Sequence, residues 1–182
     1  QGDIIDSFYS IRENINRLMY GSYLLELTDL SIMEEEPNEK IFFLLRKGLF
    51  VLSKLDEDFL KFILAYELKY ISFLGYKPYL NKCVNCGSMN LDVVKFNIEK
   101  GGIVCKNCFY KDSHCEDMDL NMYKAMRLLL YTPLDEVIYL KIPESTTFKL
   151  HAIMEKYILN KIDRKGFNSL NMLKSMKNNG GV

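Results

Sequence analysis

The sequence predicts a mainly α fold, a helical bundle interrupted once by a small β-hairpin. Three observations carry this. Apolar residues recur at steps of three and four over long stretches, the period of one helix face. Only 4 Pro and 10 Gly punctuate 182 residues, and two of the glycines stand at the very end. Over residues 93 to 104 the period falls to two, around a Glu99-Lys100-Gly101-Gly102 turn signal.

A first helix is expected from Ser7 to about Leu30, with Phe8, Ile11, Ile15, Leu18, Ser22 and Leu25 along one face. Ser10 and Glu13 have capping-box spacing, and Asp6 or Ser7 would serve equally as N-cap. Glu34 to Asn38, with Pro37, reads as a loop. A second helix should span about Asn38 to Lys54, and a third should run from the Asp56-Glu57-Asp58 break to Leu74. Gly75 then supplies a C′ residue and Pro78 a stop. Both helices are apolar over much of their surface, so they are expected to be the most buried elements.

After the hairpin (Val93 to Ile98, returning at Ile103-Val104) helix resumes from Leu120 to Leu130 and stops at Thr132-Pro133. A short helical piece is expected over Leu134 to Leu140. A last helix should start at Ser145 or Thr146 and reach Ile162, with Phe148, His151, Met154, Tyr157 and Ile158 facing inward. His151 is thereby read as a packed core histidine. The chain past Gly166 is rich in Asn, Ser, Lys and Gly and is expected to fray after about Leu173. The implied organisation is a helical domain in two parts (3–78 and 113–173), a hairpin insert (79–112) and a disordered tail (174–182). Gln1-Gly2 reads as the scar of a cleaved tag.

Composition places the chain among soluble globular proteins, with 48% hydrophobic and 26% charged residues. Formal net charge is zero, so the chain as a whole does not attract DNA or anionic lipid. The charge is unevenly placed. Six acidic residues and no basic one lie between Glu26 and Glu39, and six basic residues against Asp163 alone lie from Lys156 onward. These read as solvated surfaces, or, for the second, as a basic tail that touches phosphates. There is neither a signal-peptide pattern nor a run of about 18 apolar residues, so no membrane segment is expected and the location is read as cytoplasmic.

Cys83-Val-Asn-Cys86 and Cys105-Lys-Asn-Cys108 are two C-x-x-C pairs separated by 18 residues, a spacing that reads as a metal site. A hairpin brings the two turns side by side, and four sulfurs then form a tetrahedron. Two disulfides would imply an oxidising compartment, and a redox C-x-x-C would need a βαβ setting that is absent. The fold class is therefore a helical bundle with an inserted small β-hairpin, four-cysteine zinc-binding unit holding one structural Zn²⁺ per chain. Zinc is favoured, although iron accepts the same four thiolates. A closed site of four thiolates has no open position for a water, so it is structural rather than catalytic. Cys115 is read as a free thiol. Around the site, Lys77, Lys82, Lys95, Lys100, Lys106 and Lys111 against Asp92, Glu99 and Asp112 give a formal +3. Four thiolates with Zn²⁺ contribute −2, so the unit is nearly neutral.

Catalytic patterns are missing from the sequence. The two histidines, His114 and His151, are far apart, and no Gly-rich phosphate loop, G-x-S-x-G or H-E-x-x-H occurs. The zinc-deaminase pattern fails because no H-x-E precedes the cysteines. The reading is a binding module and not an enzyme.

The run Tyr66-Glu67-Leu68-Lys69-Tyr70-Ile71-Ser72-Phe73-Leu74-Gly75-Tyr76-Lys77-Pro78-Tyr79-Leu80, leading into Cys83-Val84-Asn85-Cys86-Gly87, resembles the bacterial RecO family. Gly101-Gly102-Ile103-Val104-Cys105 with Cys108, Ser7-Phe8 with Arg12, Tyr23-Leu24-Leu25-Glu26-Leu27 and Tyr123-Lys124-Ala125-Met126-Arg127-Leu128-Leu129 extend the resemblance over most of residues 7 to 173. Asp163-Arg164-Lys165-Gly166-Phe167 matches only loosely. The family's N-terminal OB-fold barrel is absent, as expected of a C-terminal fragment. The resemblance implies a non-catalytic mediator of recombinational DNA repair, cytoplasmic and nucleoid-associated. Such a mediator binds single- and double-stranded DNA, pairs with RecR and engages the C-terminal tail of the single-stranded-DNA-binding protein (SSB). With the barrel absent, DNA binding by this chain alone should be weak. The acidic, apolar SSB tail needs cations beside an apolar groove, for which Arg46, Lys47, Lys61, Lys124 and Arg127 are the candidates. The competing reading is a zinc-ribbon-bearing interaction domain of another nucleic-acid complex.

Overall fold

The computed structural model of the chain describes Ile4 and residues 6–32, 37–92, 94–112 and 114–178. Part of the expected loop (Glu34 to Glu36), Val93 and the last four residues lie outside them. The elements are α1 (Tyr9–Arg12), α2 (Ile15–Ser31), α3 (Glu39–Leu52), α4 (Phe59–Phe73), β1 (Val94–Asn97), β2 (Gly102–Cys105), α5 (Lys106–Phe109), β3 (Cys115–Met118), α6 (Leu120–Tyr131), a 3-10 turn (Val137–Tyr139), α7 (Glu144–Lys161) and α8 (Asn168–Asn178). The fold is mainly α with one small antiparallel sheet. The chain divides into two compact units, residues 1–59 with 165–182, and residues 60–164.

In the first unit, the single helix expected from Ser7 to Leu30 is two. Asn14 takes extended backbone angles, and its Oδ1 accepts the N–H groups of Asn16 at 2.9 Å and Arg17 at 3.2 Å. A side-chain cap there outcompetes the continuing helix, although Asn14 sits inside an unbroken apolar period. Arg17 fixes the entry: Nε donates to the Leu55 carbonyl at 2.9 Å, Nη1 to that of Ser10 at 3.2 Å, and Nη2 meets Asp56 Oδ1 at 2.7 Å. Asn38 caps α3 through Ile41 N–H.

Past the expected last helix the structure adds another, α8, which continues to Asn178 where fraying is expected after about Leu173. Its buried residues, Leu170 and Leu173, pack after Phe167, whose ring meets Tyr23 edge-on at 5.1 Å. Glu26 caps it, accepting the N–H of Asn168 at 2.7 Å and of Ser169 at 2.9 Å, with a further bond from the Ser169 hydroxyl. Burial pushes the Glu26 carboxyl up, but these bonds outweigh it and hold it below its usual value.

In the second unit, α4 is buried along most of its length, with Phe62 to Tyr66 and Leu68 fully covered. Glu67, also fully buried, lies 3.4 Å from Nε2 of His151, so His151 is a core residue as expected. Gly75 has φ 92, and Tyr76 N–H reaches back to the Ile71 carbonyl, the six-to-one bond of a glycine-terminated helix. Phe148 departs from expectation. It is 71% exposed, and Thr147, at 3%, takes the inward position beside Leu150 and His151. Those two sit three and four residues after Thr147, so the buried stripe runs one residue earlier than Phe148.

The sheet has the order β2-β1-β3, all antiparallel, with Asn97 opposite Gly102 and Asn97 opposite Cys115. The third strand adds to the expected hairpin. Its Cys-Glu-Asp-Met sequence shows no alternation, and it is held by pairing with β1 rather than by an apolar face of its own. Phe96 packs edge-on against Tyr157 of α7 at 5.2 Å, and the Tyr157 hydroxyl donates to the Tyr76 carbonyl at 2.8 Å. This seats the sheet on α7 within the unit.

Candidate metal centre

The first cysteine pair lies in a turn hydrogen-bonded to β2. Cys83 N–H donates to Ser88 O at 2.8 Å, Val84 N–H to Ile103 O at 2.9 Å, and Gly87 N–H to Cys83 O at 2.9 Å. Gly87 has φ 72, a left-handed angle at which a side chain would be strained. The second pair begins where β2 ends: Cys105 is the N-cap of α5 and Cys108 lies within it. Strand pairing and the Val84–Ile103 bond therefore set the two turns side by side.

The four sulfurs all lie within 4.8 Å of one another, and Cys86 Sγ is 3.7 Å from Cys105 Sγ. A Zn–S bond of about 2.3 Å gives a tetrahedron edge of about 3.8 Å. A disulfide would need about 2.05 Å, and all five cysteines are free. The quartet thus fits a tetrahedral ion, and the four thiols can hold one. Cys83 and Cys105 are buried, Cys108 is half-buried and Cys86 is exposed. Cys115 packs against this cluster without joining the quartet.

The electrostatics suit a cation. Burial pushes the Cys83 thiol up, but N–H donors from Cys105, Cys86 and Asn85 outweigh it and bring it down to about 6. Cys108 is pushed up to about 12, first by its bond with Cys86, then by burial and by charge on Cys83. Burial likewise raises Cys105. One thiolate forms readily while its neighbours resist, because negative charge accumulates in a small volume. A dication removes that conflict and draws off the remaining protons.

Sequence reasoning does not identify a carboxylate clamp beside the site. Asp112 accepts from Asn85 Nδ2 at 3.0 Å, Asn97 Nδ2 at 2.8 Å and His114 N–H at 3.2 Å, with Lys100 Nζ at 3.6 Å. It ties the first cysteine turn to β1 and to the approach to β3. The bond from Asn85, opposed by burial and helped by His114 N–H and Lys100, holds its carboxyl below the usual range. Asp112→Asn is expected to cost about 1–3 kcal/mol at neutral pH. A depressed folded-state value means that the contribution is complete above the unfolded aspartate value of about 3.9 and fades as pH falls through the folded one. Melting curves of the two proteins should therefore converge as the pH falls below that of the free carboxyl. A constant gap throughout the acid range would count against the clamp.

The candidate partner residues are divided between the two units, Arg46 and Lys47 in the first and Lys61, Lys124 and Arg127 in the second. Lys61 is buried, 5% exposed, and its Nζ donates to the Ile138 and Leu140 carbonyls at 3.2 and 2.9 Å. It holds the 3-10 turn and is not a surface cation, which corrects the expectation for it. A lysine amid an apolar helix stretch looks the same in sequence whether it reaches outward or caps carbonyls. Arg46 and Lys47 lie on α3, and Lys124 and Arg127 are exposed on α6.

Comparison with known proteins gives a consistent result. The family described as "Recombination protein O C terminal" matches residues 12–171. The chain is 32% identical over 169 residues to "DNA repair protein RecO" of Alkaliphilus metalliredigens, covering 93% of this chain and 69% of that protein. Proteins of the same name from Acetivibrio thermocellus (26% over 174 residues, 96% and 69%) and Bacillus pumilus (31% over 180 residues, 97% and 69%) are similar to it as well. With a cysteine quartet able to hold a metal, seated between helices in the order its sequence resemblance implies, the chain belongs to the RecO family.

Proposed function

We propose that this chain is the helical, zinc-stapled part of a non-catalytic mediator of recombinational DNA repair. It would act in the cytoplasm at the nucleoid, supporting DNA binding, annealing and recombinase loading through contacts with RecR and with the SSB tail. Family membership over residues 12–171 carries this reading. The cysteine quartet supports the non-catalytic part, since four protein ligands leave no position for a substrate or a water. No helix among the described residues is long and apolar enough to cross a membrane.

A groove on α3 in the first unit suits the acidic, apolar SSB tail. It encloses about 540 Å³ and is lined by Asp6, Phe8, Phe43, Arg46, Lys47 and Phe50. Phe43 and Phe50 are half-exposed, and the Arg46 guanidinium lies 5.5 Å from the centre of the Phe43 ring. Three aromatic rings beside two cations, against the single acid Asp6, match a peptide that ends in an apolar side chain and a carboxylate. Arg46→Glu is expected to weaken an acidic tail peptide about tenfold or more, since reversal replaces an attraction with a repulsion. Isothermal titration with the peptide measures this. Unchanged affinity for Arg46→Glu and Lys47→Glu together would place the tail elsewhere.

A further inference from the structure

A second surface, in the unit of residues 60–164, has a different chemistry. From Leu68 to Leu91 the chain contains no Asp or Glu, and α6 contains none either. The segment after α4 alternates buried anchors with exposed side chains: Pro78 and Leu80 point in, and Tyr76, Lys77, Tyr79 and Lys82 point out. Lys124, Arg127, Leu128 and Tyr131 are exposed on α6 at steps of three, one and three residues, so they share one helix face. The two meet where Lys77 Nζ lies 4.7 Å from the centre of the Tyr131 ring. Lys82 Nζ lies 6.0 Å from that of Tyr79.

The rings are held in place. Tyr79 exchanges backbone hydrogen bonds with Gly101 and Ile103, the Tyr76 carbonyl accepts from the Tyr157 hydroxyl, and the Leu80 carbonyl accepts from the Tyr123 hydroxyl at 2.9 Å. The segment is thereby fixed to both β2 and α6. Tyr76, Tyr79 and Tyr131 nevertheless remain 45%, 40% and 56% exposed. Exposed aromatic faces on a rigid support, interleaved with cations and free of carboxylates in their own segments, are what unpaired bases on a phosphate backbone require. A duplex hides its base faces and gains only the cations.

We infer that the surface formed by Tyr76, Lys77, Tyr79, Lys82, Arg127 and Tyr131 is a stacking platform for single-stranded nucleic acid. The inference rests on the DNA-repair reading above and uses residues distinct from those of the α3 groove. Neutral net charge and a small footprint place affinity in the weak range, roughly 10⁻⁴ to 10⁻⁶ M.

The test is fluorescence anisotropy of a labelled oligothymidylate of about 20 nucleotides, titrated with the metal-loaded chain from low to moderate salt. Tyr76→Ala with Tyr131→Ala is expected to weaken binding about tenfold or more, while the same positions changed to Phe keep it, because stacking needs the ring and not the hydroxyl. Lys77→Gln with Lys82→Gln should reduce the slope of log K against log salt by about 1.4, at about 0.7 per phosphate contact. Single strand should be preferred over duplex at every salt concentration. Tyr→Phe variants as weak as the alanine variants, equal affinity for duplex, or no binding at low salt would each overturn the platform. The acidic-peptide titration at Arg46 is independent of all three, so failure here leaves the mediator reading standing.

Discussion

Cys83→Ser is expected to abolish stoichiometric metal binding and to lower the melting temperature by well over about 10 °C. A structural zinc contributes on the order of 10 kcal/mol to the fold that holds it, comparable with the whole stability of an ordinary domain. For a chain of this size each kcal/mol moves the melting temperature by roughly 2–4 °C. The sheet has little to fall back on. Its buried apolar side chains other than Cys105 are Val94, Phe96, Ile103, Val104 and Met118, and its third strand is Cys-Glu-Asp-Met. Cys83 is the most demanding of the four positions, because its sulfur is buried and also accepts the Cys105 N–H at 3.4 Å. Cys86→Ser, at an exposed residue, should cost less. A chelator should reproduce the loss in the unaltered chain, and added zinc should reverse it. Acid should act in the same direction, since protons compete for the thiolates. Metal analysis and a melting curve decide this: full metal content and an unshifted melt for Cys83→Ser would remove the quartet from the account of the fold.

The parts of the molecule that sequence reveals are those whose cause is local or periodic. The quartet is legible because C-x-x-C spacing encodes geometry directly, and the hairpin because its period changes from the surrounding helices. The Gly75 stop is legible because one residue type dominates that backbone angle. What stays hidden depends on partners distant in the chain. Glu26 reads as one of six solvated acids, yet it caps a helix 142 residues away. Lys61 reads as a surface cation and instead serves the carbonyls of Ile138 and Leu140. β3 has no apolar period because β1 supplies its pairing, and Asn14 breaks a helix whose periodicity is intact. In the helix and lysine cases a polar side chain satisfies a specific backbone group, and hydropathy patterns carry no record of that choice.

Gly102→Ala joins the two kinds of information and should damage the sheet and the metal site together. A methyl group at this position would press on Val84 Cγ1 and sit 2.8 Å from the Tyr79 carbonyl oxygen. The second contact is with backbone, which cannot rotate aside. Tyr79 bonds to Gly101 and Ile103 on one side, and Val84 stands within the first cysteine turn and donates to Ile103. Relief of the clash must therefore move the turn away from β2 and separate Cys83 and Cys86 from Cys105 and Cys108. Overpacking of this kind costs about 3 kcal/mol, toward the upper end of its usual range, because the neighbours are tethered. The expected result is a lower melting temperature together with weaker zinc retention against a competing chelator. Gly101→Ala, at φ 66 and facing the Tyr157 hydroxyl, should destabilise the chain by a similar amount while leaving the cysteine turns in register. Comparison of the two separates strain from loss of register: equal zinc retention in both variants would mean that the approach of Tyr79 and Val84 to Gly102 does not position the metal site.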